Sequence, residues 1–397
     1  MEAVIKANPQ DVRAMTALAS LDESEGKPKK LIVDRLARAI SLKPNDPLLR
    51  ARLIQFYLRE QDNKLALNAA QEAVAALPND LDMLALLAAT QVTAGEPNHA
   101  INSYSKLVTL RPRSAAPLLG LASAQLASKS YDAAAETIEK ARALAPDSVV
   151  LLQTAIQIDA LRGRFDEALA KARGVQAKFP NLANGWLYAG DVEMSRKNWN
   201  SAIRAYRSAI QKESTTPTAR RLHTALRNSG DRTEAESFSG NWTKTHPQDA
   251  EFIFYLSEVA IENQDFATAQ RYLEYVLRLT PDNPSVLNNM AWVLATQKKM
   301  GSVELAERAN RMKPNHPDFI DTLAFALVAE GKTTTALEIV RNAVQQNPDA
   351  NGLRLRLARL YLQTGDKAPA RIELDRLAAL GEGFPQQAEV RALRMEL

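Results

Sequence analysis

The chain has 397 residues, of which 46% are hydrophobic and only 6% aromatic, which favours closely packed helices over a large β core. Its 50 Lys and Arg side chains nearly balance 46 Asp and Glu, so the formal charge is only +4 and a mixed solvated surface is predicted, with no nucleic-acid partner. Because cysteine is absent, disulfides and thiolate sites are excluded, and no apolar stretch is long enough to predict a transmembrane segment.

Residues 1–12 are predicted to be the end of a preceding repeat, with residues 1–8 as the tail of a helix that Asn8-Pro9 ends. This start lacks the apolar core of a signal peptide. We therefore expect that the chain is a piece of a longer protein, whose missing N-terminal part carries any export signal or upstream lipid anchor. The alternative is a native start with an improvised cap.

Prolines reveal an internal repeat. They recur at steps of 33 or 34 residues, with one missing mark at Ser214, at Pro44, Pro78, Pro112, Pro146, Pro180, Pro247, Pro281, Pro314 and Pro348. A proline stops a helix because it lacks an N–H group and disfavours helical geometry at the residue before it. The period therefore predicts a helix that ends at each mark.

Alanines keep the same period, twelve residues before each proline position. The series reads Ala66, Ala100, Ala134, Ala168, Ala202, Ala235, Ala269, Ala336 and Ala370. Small side chains are needed where two helix axes approach closely, and alanine supplies one without the entropy cost of glycine. Each period is therefore predicted to be two packed helices.

This spacing, with Leu, Ala, Ala and Pro at fixed offsets, resembles the tetratricopeptide-repeat (TPR) family. The resemblance implies an all-α fold: a right-handed superhelical solenoid of about eleven helix-turn-helix repeats over residues 13–384, followed by a C-terminal capping helix over 385–397. The predicted units lie near 13–46, 47–80, 81–114, 115–148, 149–182, 183–216, 217–249, 250–283, 284–316, 317–350 and 351–384.

The unit over 217–249 departs most from the pattern, because its preceding proline is missing and Gly240 falls inside its second helix. One interpretation is a hinge or a bend induced by a partner. The other is ordinary drift of one repeat that its neighbours hold in place.

No pattern for catalysis, cofactor binding or metal binding is present. The sequence contains no phosphate-binding glycine loop and no nucleophile elbow, and its four histidines, of which His223 and His246 share one predicted unit, form no HExxH pair. A non-enzymatic protein without cofactor or metal is therefore predicted. The sequence does not determine its oligomeric state.

In TPR proteins the first helices line a concave groove that accepts a peptide or a helix of a partner protein. Groove positions fall 27, 23 and 20 residues before each proline mark, and Tyr188 and Tyr255 lie beside this row. The candidate partner-binding residues are Gln55, Gln157, Tyr188, Asp191, Arg220, Arg227, Phe254, Tyr255, Glu258, Asp321, Phe325 and Arg359. Phe254 and Phe325 are the strongest candidates, since exposed aromatics make good anchors, although both can equally pack against the adjacent unit.

Two runs in the last third carry a narrower resemblance. The segments Leu287–Ala295 and Asp321–Phe325 are similar to runs in the PrsT family of TPR-repeat lipoproteins, which belong to PEP-CTERM/exosortase exopolysaccharide systems. The resemblance implies a periplasmic, outer-membrane-associated scaffold in polysaccharide export or surface-protein sorting. The sequence leaves two alternatives open: a cytoplasmic adaptor or regulator, and the regulatory region of a glycosyltransferase.

Overall fold

The computed structural model describes residue 8 and residues 10–397, so the helix tail predicted before Asn8 lies outside the described residues. Within that part of the chain the structure contains 23 α-helices and one short 3₁₀ helix, Gly381–Gly383, and no β-strand. The prediction of an all-α fold is confirmed.

The described residues divide into two compact units, unit 1 up to Asp231 and unit 2 from Arg232 to Leu397. In both units a first helix, with an odd label below, alternates with a second helix, with an even label. The division falls between a first and a second helix, inside the repeat predicted over 217–249.

Unit 1 contains thirteen of the described helices, joined by short turns. They are α1 (Val12–Ser24), α2 (Lys29–Leu42), α3 (Pro47–Arg59), α4 (Asn63–Ala76), α5 (Leu81–Thr93), α6 (Pro97–Leu110), α7 (Ala115–Ala127), α8 (Tyr131–Leu144), α9 (Val149–Leu161), α10 (Phe165–Lys178), α11 (Asn184–Ser195), α12 (Trp199–Lys212) and α13 (Thr216–Asn228).

Unit 2 continues the alternation and ends with an additional helix. Its helices are α14 (Arg232–Thr245), α15 (Ala250–Glu262), α16 (Phe266–Leu279), α17 (Pro284–Thr296), α18 (Ser302–Met312), α19 (Pro317–Ala329), α20 (Thr333–Gln346), α21 (Asn351–Thr364), α22 (Lys367–Ala378) and α23 (Gln387–Arg394).

The second helices end where the prolines require it. From α2 to α20, each ends two residues before its proline position, as in α2, where Leu42 precedes Pro44 by two residues. The residue between the helix and the proline is held away from helical geometry by the proline ring. The same stop follows α12 at Ser214, where no proline is present, so tertiary packing maintains the period there.

Buried alanines form the contact inside each pair. The alanines twelve residues before the proline positions are between 0% and 3% exposed from Ala66 to Ala370. A small side chain lets the two helices of a pair approach closely here, although α2 carries the buried Ile32 at the same position. Leucine, isoleucine and valine side chains fill the space on either side of these contacts and complete a core that runs along each unit.

The helix α14 is packed differently. Five residues before the proline position, where α2, α4, α8, α12, α18 and α20 carry alanine, α14 carries Trp242, which is 4% exposed. Its indole Nε1 donates a hydrogen bond to Asp249 at 2.9 Å, and its ring lies 5.7 Å from Phe252 on α15. A tryptophan in place of a methyl group keeps the axes of α14 and α15 apart.

Gly190 marks the opposite case, a helix surface without room for any side chain. A Cβ at Gly190 on α11 would lie 2.4 Å from Cε1 of Tyr206 on α12. The Tyr206 ring is 2% exposed, and its hydroxyl donates a hydrogen bond to Asp191 at 2.7 Å. The ring is therefore held by both packing and a polar contact, and it requires glycine opposite it.

We expect Gly190→Ala to lower the free energy of unfolding by about 1–3 kcal/mol, because the added methyl group overlaps a ring that has little freedom to move. Urea unfolding followed by far-ultraviolet circular dichroism measures the change. Gly240→Ala in α14 is the matched control, since nothing lies within 4 Å of a Cβ there and helix propensity predicts a gain of up to about 1 kcal/mol. Equal effects of the two substitutions contradict this account of the α11–α12 contact.

Candidate partner-binding face

In both units, several first helices contact the next first helix directly. In unit 2, α17 contacts α19 and α19 contacts α21, whereas no contact of similar extent joins successive second helices among the described elements. Closer spacing on the first-helix side makes that side the inner, concave one of the run. Side chains that point from several first helices therefore converge on a shared surface.

Two half-buried aromatic rings lie on this surface of unit 2. The centroids of Trp292 on α17 and Phe325 on α19 are 6.3 Å apart, and the rings are inclined by 31°. On its other side the indole meets Phe266 edge-on at 5.8 Å. Trp292 and Phe325 are each partly exposed, so they offer an apolar contact to a partner while the core holds them in position.

An ion pair continues the row beyond the rings. Arg356 on α21 donates two hydrogen bonds to the carboxylate of Asp321 on α19, at 2.6 and 2.7 Å. Its guanidinium also lies 5.7 Å from the centre of the Phe325 ring. A bidentate pair fixes both side chains, so the ring, the cation and the carboxylate form a pre-organised surface.

A cavity of about 420 Å³ opens beside Asp321. Arg359 lines it and donates a hydrogen bond to Glu389 on α23 at 2.5 Å, so the last helix bounds this part of the surface. The lining residues are Trp292, Pro317, Asp318, Asp321, Thr322, Ala350, Gly352, Leu353, Leu355, Arg359 and Gln386. The structure thus brings the predicted residues Asp321, Phe325 and Arg359 into one region of unit 2.

The predicted residues on α15 divide between surface and core. Phe254 is half-buried and packs against the apolar cluster around Ile253 and Met290, and Glu258 is exposed. Tyr255 is 9% exposed and lies 5.7 Å from the Phe252 ring. The expectation that Tyr255 lies beside an open groove is corrected, because the aromatic packing of α15 encloses the side chain.

In unit 1 the same correction applies to Tyr188, which is 5% exposed. Its hydroxyl donates a hydrogen bond to Gln153 at 3.3 Å and accepts one from Asn184 at 3.2 Å, so the side chain supports the first-helix surface from beneath. Gln55 on α3 and Gln157 on α9 are exposed. Two other first helices, α5 and α7, lie between α3 and α9 along the chain.

Asp191 on α11 connects three helices of unit 1. Its Oδ1 accepts hydrogen bonds from the Tyr206 hydroxyl on α12, at 2.7 Å, and from the Nε of Arg221 on α13, at 3.1 Å. Burial raises the pKa of Asp191, while Tyr206 and Arg221 act in the opposite direction. This predicted partner-binding residue is therefore already engaged within the protein.

The predicted residues Arg220 and Arg227 on α13 are half-buried and flank the buried His223. Burial, together with the nearby charge of Arg227, lowers the pKa of His223 to about 4. The imidazole is therefore neutral near pH 7, and the positive charge of this surface comes from the arginines.

Three residues of this region of unit 2 are not among those predicted from the sequence: Trp292, Arg356 and Glu389. Trp292 comes one residue after Ala291, which is the expected groove position of this repeat, and its large ring is partly exposed. Arg356 stands 35 residues after Asp321, one repeat plus one residue, and this opposite-charge spacing is a usable signal. Glu389 belongs to the last helix, outside the repeat, so the period contains no information about it.

Neither a metal centre nor a membrane span is found among the described residues. No group of three or more His, Asp or Glu side chains there is arranged to hold a metal ion. None of the described helices combines the length and the apolar character that crossing a bilayer requires.

The repeat is matched by models of a known family. One tetratricopeptide-repeat model matches residues 91–157 and 327–394, and a second matches residues 162–216 and 243–317. Together these matches cover about two thirds of the chain, in both units. The chain belongs to the tetratricopeptide-repeat family. The TPR resemblance inferred from the proline and alanine periods is confirmed.

A curated relative shares the repeat. The chain is 28% identical over 130 residues to the TPR repeat-containing protein PA4667 of Pseudomonas aeruginosa, a match that takes in 29% of this chain and 22% of that protein. The chain thus spans about a fifth of the length of the curated relative it matches.

Solved TPR structures also resemble the chain at low identity. Yeast Tom70 is 14% identical, with 97% of this chain and 95% of that chain covered and a TM-score of 0.48. The anaphase-promoting complex Cut9–Hcn1 hetero-tetramer is 13% identical, with 100% and 92% covered and a TM-score of 0.42. The MamA protein is 22% identical, with 42% and 91% covered and a TM-score of 0.35.

The low pKa of His223 predicts a pH dependence of stability. Between about pH 6.5 and pH 4 the unfolded chain binds a proton at this residue and the folded chain does not, so stability is complete above that window and falls as the pH falls through it. We expect His223→Gln to reduce the stability lost between about pH 7 and pH 4.5 by on the order of 2 kcal/mol.

Urea unfolding at a series of pH values measures this difference. His99→Gln is the matched control, because His99 is exposed on α6 and hydrogen-bonds to the exposed Glu96. If the wild-type chain and His223→Gln lose the same stability over the window, residue 223 does not carry the pH dependence.

Proposed function

We propose that the chain is a non-catalytic scaffold that binds partner proteins, and that a peptide or helix of the partner lies along the first-helix surface of unit 2. The TPR fold supports a protein–protein interaction scaffold. The observation that carries the location is the row from Trp292 through Phe325 to the Asp321–Arg356 pair, beside the cavity that Arg359 lines.

The chemistry of this row indicates the kind of segment it accepts. Trp292 and Phe325 are partly exposed rings that already pack on neighbours, so covering them with an apolar partner side chain costs little side-chain entropy. Arg356 and Asp321 satisfy each other, so the ion pair orients the ring and leaves no charge that needs an opposite charge from the partner. The proposed ligand is therefore a segment with an aromatic or aliphatic anchor.

The proposed cellular setting is the bacterial periplasm at the outer membrane, in exopolysaccharide export or PEP-CTERM surface-protein sorting. Its support is the resemblance of the runs Leu287–Ala295 and Asp321–Phe325 to the PrsT family. These runs lie on α17 and α19 and include Trp292 and Asp321 of the proposed binding row, whereas Phe325 stands where the PrsT run has tryptophan. The alternative settings are a cytoplasmic adaptor and the regulatory region of a glycosyltransferase.

We expect Trp292→Ala and Phe325→Ala each to weaken peptide binding by about tenfold or more, because truncating a central aromatic anchor removes about 1–2 kcal/mol or more of binding free energy. Peptides are selected against the whole chain by phage display, and their affinities for each variant are measured by fluorescence anisotropy. Met300→Ala, which truncates a side chain that is 93% exposed in the turn between α17 and α18, is the control. If the selected peptides bind Trp292→Ala and Phe325→Ala as tightly as they bind the wild type and Met300→Ala, the binding site does not include Trp292 and Phe325.

The setting has a separate test. Fractionation of the producing bacterium, followed by detection with an antibody raised against this chain, is expected to recover the protein with the periplasmic side of the outer membrane. Deletion of its gene is expected to reduce secreted exopolysaccharide. Recovery in the cytosol with unchanged polysaccharide contradicts the proposed setting and favours the adaptor, without affecting the binding row.

A further inference from the structure

A large cleft of unit 2 lies on its second-helix side. A cavity of about 880 Å³ lies between α14 and α16, and both are second helices, so this cleft is separate from the first-helix row. Its lining residues are Gly240, Asn241, Thr243, Lys244, Ile253, Arg271, Tyr272, Glu274, Tyr275 and Arg278.

Two residues of α14 explain why the cleft is open. Trp242 takes a position where most second helices carry alanine or another small apolar residue, and it holds α14 away from α15. Gly240 takes the position, seven residues before the proline, where most other second helices carry long polar side chains, among them Glu139, Arg173 and Glu307. A Cβ at Gly240 would meet nothing within 4 Å, so no side chain fills the space that Trp242 creates.

The rim of the cleft is positively charged. Lys244 on α14 and Arg271 and Arg278 on α16 are all exposed, and none of them forms a salt bridge within the part of the chain that the structure describes. The carboxylate of Glu274 accepts a hydrogen bond from Gln270 at 2.8 Å and is the single acidic group of the lining. Among the lining residues, three cations therefore stand against one carboxylate, while the carboxylates of Asp265 and Glu236, outside the lining, lie near enough to Tyr272 to help raise the pKa of its hydroxyl.

The floor of the cleft is apolar and fixed. Tyr272 and Tyr275 are half-buried, and Ile253 beneath them is 3% exposed. The Tyr275 hydroxyl donates a hydrogen bond to the carbonyl oxygen of Pro247 at 3.1 Å, and the Arg278 guanidinium lies 5.1 Å from the centre of the Tyr275 ring. Burial raises the pKa of the Tyr272 hydroxyl, which therefore stays neutral and adds no negative charge.

We propose that this cleft is a second docking site, which binds an acidic segment of a partner protein with an apolar residue between its carboxylates. The carboxylates pair with Lys244, Arg271 and Arg278, and the apolar residue covers Tyr272 and Tyr275. Charge complementarity favours an acidic segment over a neutral one. The apolar floor favours a segment that also carries an apolar side chain over a ligand that offers only charge. Because the first-helix row lies on other helices, the scaffold can hold two segments at once.

The test uses the whole chain and a short fluorescein-labelled peptide in which glutamate alternates with phenylalanine, with anisotropy as the readout. The wild-type chain is expected to bind the peptide with an affinity that falls as salt is added. Gly240→Gln is expected to weaken binding by about tenfold or more, because its side chain enters the cleft at an exposed position with room for it. Arg278→Glu is expected to weaken binding at least as much, through the reversed charge.

Folding is controlled within the same set of variants. Gly240→Gln replaces a glycine in a helix interior and is expected to keep or raise the thermal midpoint, so lost binding is not lost structure. Met300→Ala, outside both sites, is expected to bind the acidic peptide like the wild type. The part of the binding that Gly240→Gln removes is expected to persist in Phe325→Ala, which separates this site from the first-helix row.

Three results overturn the proposal: no binding by the wild-type chain, equal binding by wild type and Gly240→Gln, or tighter binding of an alginate oligosaccharide that Gly240→Gln also blocks. The last result assigns the cleft to an anionic polysaccharide.

Discussion

The close approach of paired helices at buried alanines is the contact on which the rest of the molecule depends. Each pair can bury its apolar side only against its own partner helix and the pairs next to it, so every unit is held together by nearest-neighbour contacts. Alanine at these contacts, from Ala66 to Ala370, sets the distance between helix axes. That distance in turn allows first helices to touch one another and opens space between second helices.

The two sides of unit 2 consequently offer different chemistry. On the first-helix side, side chains from neighbouring repeats meet and satisfy each other, as the Asp321–Arg356 pair and the Trp292–Phe325 contact show. Such a surface is pre-organised and suits an apolar anchor. On the second-helix side, α14 and α16 stand apart at the cleft, and Lys244 and Arg278 reach solvent there without a salt bridge to any described residue, whereas other cations of the second helices are paired, as in Arg308 with Asp282. Such a surface suits an acidic ligand.

The helix α14 shows how one departure from the repeat changes a surface. Trp242 replaces a small residue and Gly240 replaces a long one, so bulk moves from the solvent side of the helix to its packed side. Taken singly, each change reads as ordinary drift of one repeat. Taken together they produce a cleft, because the tryptophan separates the helices and the glycine leaves the separation unfilled.

Much of the fold was predictable because its signals are local. A proline at the end of each period prevents the second helix from continuing, and alanine at a fixed offset implies a close helix contact within the same 34 residues, so the ends of the second helices from α2 to α20 follow from the period. For the groove, the sequence predicted which face of the first helices is involved, but not which side chains on that face are accessible. Phe325 and Asp321 do lie on a shared surface, but the same rule also selected Tyr188 and Tyr255, which are buried.

The sequence by itself therefore determined the repeat, the helix boundaries and the face on which a partner is expected. Only the tertiary structure decided which side chains of that face remain accessible, which charges are paired across repeats, and where the helices part to form a cleft. The physical reason is that exposure and pairing depend on the distance between neighbouring repeats. That distance is set by side chains of both repeats together, such as Trp242 against Phe252, so the sequence of one repeat alone does not determine it.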